Sequence, residues 1–128
     1  MTPEILIVED TPELSDIFSQ VFRLKGLSTE VIGDGRSALA RLDSAPPRAV
    51  ILDLNMPEVS GLEVLRQIRS SETWKRVPVI VVTADWINSR EAEDQADLVL
   101  LKPVTIDQLF TLVDRFLEPG GTGPLTRE

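Results

Sequence analysis

Five short strand-like stretches alternate along the chain with five stretches whose apolar residues recur at helical spacing. Four are apolar runs, Ile5-Leu6-Ile7-Val8, Ala49-Val50-Ile51-Leu52, Val77 to Val82 and Leu98-Val99-Leu100-Leu101, and the more mixed Leu27 to Ile32 reads as a short second strand. A continuous branched run closed by a turn suits a strand buried on both faces of a parallel sheet, although periodicity alone also leaves a short buried helix open. Between the runs, Leu14, Ile17, Phe18, Val21 and Phe22 stand at i, i+3, i+4, i+7 and i+8. Thr11 is placed to cap this helix, Pro12 opens it and Gly26 closes it. Arg36 to Ser44 reads as a second helix with Ala38, Leu39 and Leu42 inward, ended by Pro46-Pro47. Leu62, Val64, Leu65 and Ile68 mark a third, and the polar connection Ser70 to Arg76 after it is expected to leave Trp74 partly exposed. Asp85 to Asp94 is the weakest helix, with only Trp86, Ile87 and Ala92 to anchor it. Thr105 and Gln108 form a capping box before a last helix whose inner face is read as Ile106, Leu109, Phe110, Val113, Phe116 and Leu117.

This alternation predicts an α/β fold: a doubly wound, five-stranded parallel sheet covered on both faces, with a short or irregular fourth helix. In the flavodoxin-like order 2-1-3-4-5 the first and third strands are neighbours at the switch point. One domain is expected over residues 1–118. Residues 119–128, rich in Pro and Gly, are expected to be a tail or the stub of a linker.

Composition narrows the chemistry. The net charge of 13 − 21 = −8 argues against direct binding to nucleic acid or to an anionic membrane surface. No apolar run approaches the ~20 residues needed to cross a bilayer, and the start lacks the pattern of a signal peptide. The absence of cysteine fits the cytoplasm. The absence of histidine removes imidazole metal ligands and Ser-His or Cys-His nucleophile pairs. Carboxylates, Thr, Ser and Lys are left to do the work.

Those groups stand where an open α/β sheet places its ligands. Glu9, Asp10, Asp53, Thr83 and Lys102 all follow apolar runs at their C-terminal ends. Taken alone, Asp53 reads more simply as a turn or cap residue, because Pro57 and Gly61 break the chain soon after it. Together the acids require a counter-charge. Lys102 supplies one, and a hard divalent cation such as Mg²⁺ suits an acid-rich, histidine-free site. A carboxylate is also a competent nucleophile for forming an aspartyl phosphate.

The set Glu9-Asp10, Asp53, Pro57, Gly61, Thr83-Ala84 and Lys102-Pro103 resembles the receiver domain of two-component response regulators over residues 4–117. The resemblance implies that Asp53 accepts a phosphoryl group from the phosphohistidine of a sensor histidine kinase or histidine phosphotransfer protein. It implies Mg²⁺ held by Asp10 and Asp53, by Glu9 through water, and by the main-chain carbonyl of Asn55. Thr83 and Lys102 would contact phosphoryl oxygens, and the Lys102-Pro103 bond would be cis. The chain would act on no outside substrate and would signal to an unidentified protein effector, as a monomer or weak homodimer.

The output side departs from the family. Val99 stands where receivers carry Tyr or Phe, and Gln95 and Val104 stand where Gly and Phe are common. Thr83 and Lys102 are 102 − 83 = 19 positions apart, about one helical turn short. An alternative function is therefore a receiver-like interaction module that ignores phosphorylation. Two readings fit Trp86: it reports the switch in place of the missing ring, or it covers core left open by the shortened helix. Asp85 likewise either caps that helix or acts on the site beside it. An aspartyl phosphatase of the haloacid dehalogenase type fits poorly, since Asn55 stands where the second acid is needed. A dinucleotide site lacks its glycines after the first strand.

Overall fold

The structure, a computed structural model, describes residues 3–117, without the side chains of Val113, Phe116 and Leu117. The tail expected over 119–128 and those three inner-face assignments lie outside what is described. The chain runs β1 (Ile5–Val8), α1 (Pro12–Leu24), β2 (Thr29–Ile32), α2 (Gly35–Arg41), β3 (Ala49–Leu52), α3 (Gly61–Ser70), β4 (Val79–Thr83), α4 (Trp86–Ala92), β5 (Leu98–Leu101) and α5 (Ile106–Leu117). All strand pairs are parallel, in the order β2-β1-β3-β4-β5, as expected.

The continuous apolar runs are split between two cores by the period of two along a strand. Leu6, Val8, Val50, Leu52, Val79 and Val81 face Ala38 of α2, Leu62, Leu65 and Ile68 of α3, and Ala92 of α4. Ile5, Ile7, Ala49, Ile51, Ile80 and Val82 face Phe18 and Phe22 of α1 and Leu109 and Leu112 of α5. Ile5 pairs with Ala49 and Val8 with Leu52, so β1 and β3 end level with one another. β5 lies at the sheet's edge, half-buried, with Leu101 exposed.

Several local expectations are corrected. Trp74 is fully buried, because residues 71–77 coil rather than run over the surface. The Trp74 and Lys75 N–H groups donate to Ser71 Oγ and the Ser71 carbonyl, turning the indole inward, where its Nε1 donates to the Ser44 carbonyl at 2.9 Å. The Arg41 guanidinium lies 5.3 Å from the ring centroid. Thr11 makes no side-chain cap; its N–H donates to Glu9 Oε2 instead. Ile17 and Ile106 are exposed, since the buried stripes of α1 and α5 are narrower than the spacing suggests, while Leu112 joins the core unannounced. Trp86 is 61% exposed and does not cover the core.

The short α4 is held at both ends. Asp85 caps it, accepting from the Asn88 N–H at 3.0 Å and from its side-chain amide at 2.7 Å. These bonds hold its carboxyl below the usual aspartate range. Beyond α4, Arg69 of α3 donates to the carbonyls of Gln95, Lys75 and Val77 and pairs with Asp97 at 3.0 Å, while Asp97 accepts from the Val79 N–H at 2.7 Å. One guanidinium thus ties the loop before β5 to the start of β4. Arg69→Ala strands carbonyls and one largely buried carboxylate, and is expected to cost ~2–3 kcal/mol. Urea unfolding that left the midpoint unchanged would remove this clamp from the account.

Candidate functional site

Both acid-bearing turns leave the sheet by extending its ladder. The Glu9 N–H donates to the Ile32 carbonyl and the Asp53 N–H to the Val8 carbonyl, both at 3.0 Å. The neighbouring β1 and β3 therefore deliver Glu9, Asp10 and Asp53 to one place. An oxygen from each of the three lies within 4.8 Å of the others. Glu9 and Asp53 are buried, whereas Asp10 is exposed.

The loop after Asp53 is fixed by close packing rather than by side chains. Asn55 N–H donates to Asp53 Oδ1 at 3.2 Å, and the Gly61 N–H donates to the Leu54 carbonyl at 2.9 Å. A Cβ on Gly61 would collide with the Asp53 carbonyl oxygen, so only glycine lets α3 begin this near the strand end. A Cβ on Gly35 would likewise collide with the Val59 carbonyl, pinning the far side of the loop against α2. Glu58, between them, takes a left-handed φ of 65°.

From the other side, β5 brings in Lys102. Its N–H donates to the Thr83 carbonyl at 2.9 Å, which carries the β4–β5 pairing past Leu101. Its Nζ reaches Glu9 Oε1 at 3.0 Å and Asp53 Oδ2 at 3.2 Å. The bond to Pro103 is cis. Thr83 is fully buried at the end of β4, with Oγ1 accepting from the Asp85 N–H at 3.0 Å. All the residues singled out in the sequence thus meet at one edge, except that Thr83 bonds toward α4 and its Oγ1 has no hydrogen bond to the acids.

The electrostatics leave a deficit of positive charge. Each like-charge pair separated by about 5 Å costs ~3 kcal/mol at an effective dielectric of about 20. Among the described residues, the Lys102 ammonium pairs with two of the three carboxylates, Glu9 and Asp53. Burial raises Glu9 above the usual glutamate range despite its hydrogen bond to Lys102, and the charge of Asp53 pushes the same way. Burial pulls Lys102 down, but its hydrogen bond to Glu9 and the charge of Asp53 outweigh this and hold it above the usual lysine value. Oxygen donors alone, two of them buried and undercompensated, fit a hard divalent cation.

Comparison with known proteins agrees with this geometry. Residues 5–114 match the family model of the response regulator receiver domain. The response regulator MprA of Mycolicibacterium vanbaalenii is 38% identical over 113 residues, covering 86% of this chain and 48% of its own length. The chain spans about half or less of the curated relatives it matches. Among solved structures, the response regulator TrrA of Thermotoga maritima in complex with Mg²⁺ and BeF aligns with a TM-score of 0.78 at 30% identity, covering 91% of this chain and 100% of that one. The receiver domain of a sensor histidine kinase from Pseudomonas aeruginosa, with a magnesium ion coordinated in its active-site cleft, aligns with a TM-score of 0.78 at 26% identity over 90% of this chain and 97% of that one. The parallel sheet in the order 2-1-3-4-5, the acids gathered at its C-terminal edge and the family match over residues 5–114 lead to one conclusion: this chain belongs to the response regulator receiver domains of two-component systems.

Proposed function

We propose that residues 1–118 form a receiver unit in which Asp53 accepts a phosphoryl group from the phosphohistidine of a sensor histidine kinase or phosphotransfer protein, in the cytoplasm. The observation that carries this reading is the single ammonium of Lys102 within 3.2 Å of both buried acids, Glu9 and Asp53. Glu9, Asp10, Asp53 and the Asn55 carbonyl would hold Mg²⁺, which neutralises charge on an incoming phosphoryl group. Asp53 supplies the nucleophilic oxygen. Lys102 moves its charge from the carboxylates to a phosphoryl oxygen as the acceptor's own charge is spread over the new group. Thr83 offers its hydroxyl proton from the neighbouring strand. With the acceptor seated in a fixed loop, the chain contributes mainly positioning and charge. It acts only on its own aspartyl phosphate.

The test is phosphorylation by a radiolabelled phosphohistidine protein, with and without chelator. Label that is stable in acid, labile in base and lost with EDTA is expected; absence of label with several such donors would overturn the reading. Metal occupancy has its own readout. At a Mg²⁺ concentration about ten times Kd, linkage predicts a gain of ~1.4 kcal/mol in unfolding free energy, reversed by EDTA. A denaturation midpoint indifferent to Mg²⁺ would remove the metal from the acidic cluster.

One observation favours a second reading, in which partner binding ignores phosphorylation. Val99 is part-buried against the core beside α4, and it has no ring to swing. Equal partner affinity with and without a beryllofluoride mimic would support this reading over the first.

A further inference from the structure

α2 meets the acceptor loop through a residue with no side chain. Gly35, the buried first residue of α2, faces Val59, and a Cβ there would lie 2.9 Å from the Val59 Cβ, 3.0 Å from its carbonyl carbon and closer still to its carbonyl oxygen. We propose that Gly35 is a positioning residue for the metal: by letting the start of α2 close on Val59, it sets the loop that presents the Asn55 carbonyl, and with it the affinity for Mg²⁺. The inference rests on the reading of Glu9, Asp10, Asp53 and Asn55 as metal ligands and adds to them a residue of α2.

Neither backbone conformation nor helix formation calls for glycine at this position. Its φ is not left-handed, so the backbone would accept a side chain, and glycine disfavours the helix it opens. The remaining reason is the approach to Val59. Because the closest contact is with a carbonyl of the backbone, no change of rotamer could relieve an added Cβ.

The loop is the side that yields. α2 is held at its start by Asp34, whose carboxylate accepts from the Ser37 N–H at 2.7 Å and from its hydroxyl at 3.0 Å, and by Ala38 in the core. On the loop, Asn55, Pro57, Glu58 and Ser60 are exposed and Val59 is half-buried, its N–H donating to the Pro57 carbonyl at 2.8 Å around the left-handed Glu58. A push at Val59 cannot pass toward α3, because Gly61 is already packed on the Asp53 carbonyl. It passes toward Asn55, whose N–H is tied to Asp53 Oδ1 by a long bond of 3.2 Å. Asp53 itself is anchored in the sheet through its own N–H on the Val8 carbonyl. The displacement therefore falls on a metal ligand and spares the acceptor.

Calorimetric titration of the full chain with Mg²⁺ tests this. Gly35→Ala is expected to raise the Kd for Mg²⁺ about tenfold, the lower end of the loss seen when the supports of metal ligands are altered, with the circular dichroism of wild type. Labelling by a phosphohistidine protein should be slow at a Mg²⁺ concentration near the wild-type Kd and recover once Mg²⁺ saturates the variant. Arg69→Ala, which loosens the opposite end of the sheet, should lower the urea midpoint and leave Kd unchanged. An unchanged Kd in folded Gly35→Ala overturns the proposal and leaves the ligand assignment standing. So does labelling that stays slow at saturating Mg²⁺, or an equal loss of affinity in Arg69→Ala. If Gly35→Ala does not fold, Val59→Gly frees the same loop from α2 without adding bulk, and a Kd equal to that of wild type then overturns the proposal. A wild-type chain that takes up no Mg²⁺ removes the ligand set itself, and the role of Gly35 with it.

Discussion

Asp53→Asn is expected to take up no phosphoryl group from any donor while keeping its fold. The carboxamide has no anionic oxygen with which to attack phosphorus, and the other acids cannot take its place. Glu9 is buried with one oxygen on Lys102 and the other on the Thr11 N–H, and Asp10 lies out toward solvent. The change also alters the charge balance. It removes one favourable pair with Lys102 and two repulsions, with Glu9 and Asp10, so the metal-free variant should unfold at a urea concentration no lower than wild type. Its gain from Mg²⁺ should shrink, since one of three charged ligands has become neutral. Intact circular dichroism, a preserved midpoint in EDTA, a reduced Mg²⁺ response and absent label form one pattern. Residual label at wild-type stoichiometry would place the acceptor elsewhere and end the assignment.

The parts of the molecule legible in its sequence are those governed by local pattern. β1, β3 and β4 are covered on both faces, so their residues form uninterrupted apolar runs, and the polar residue ending each run marks the sheet's C-terminal edge. Once the strands are ordered, Glu9, Asp10, Asp53 and Lys102 have to converge. Contacts between distant segments left no comparable trace. Trp74 sits in a polar stretch, and its burial depends on the Ser44 carbonyl and the Arg41 guanidinium, roughly thirty positions earlier. Arg69 looks like a surface residue of α3, yet it bonds to the carbonyls of Lys75, Val77 and Gln95. Gly35 suggests a turn and turns out to mark a close approach to Val59. The shortened fourth segment was visible as a count of residues. That it stays anchored, through Asp85 at one end and Asp97 at the other, belongs to the tertiary structure.

Trp74→Ala should produce the largest loss of stability of any substitution considered. The indole is fully buried among core residues that include Leu65, Ile68 and Val77, and its Nε1 closes the loop after α2 through the Ser44 carbonyl. Truncation leaves a cavity, orphans that carbonyl and removes the face over which the Arg41 guanidinium lies. Large-to-small changes of this kind cost ~3–5 kcal/mol. A domain of this size is stable by ~5–15 kcal/mol, so the urea midpoint should fall by about a fifth at the least, and by more the less stable the domain is. Trp74→Phe keeps most of the apolar volume and loses the hydrogen bond, for which ~1–2 kcal/mol is expected. The order wild type, Phe, Ala is the signature of a packed indole. Equal midpoints for all three would return Trp74 to the surface position its polar neighbours suggest. Emission supplies an independent check: with two tryptophans in the chain, either variant leaves Trp86 alone, and its 61% exposure predicts a red-shifted spectrum even in the folded protein.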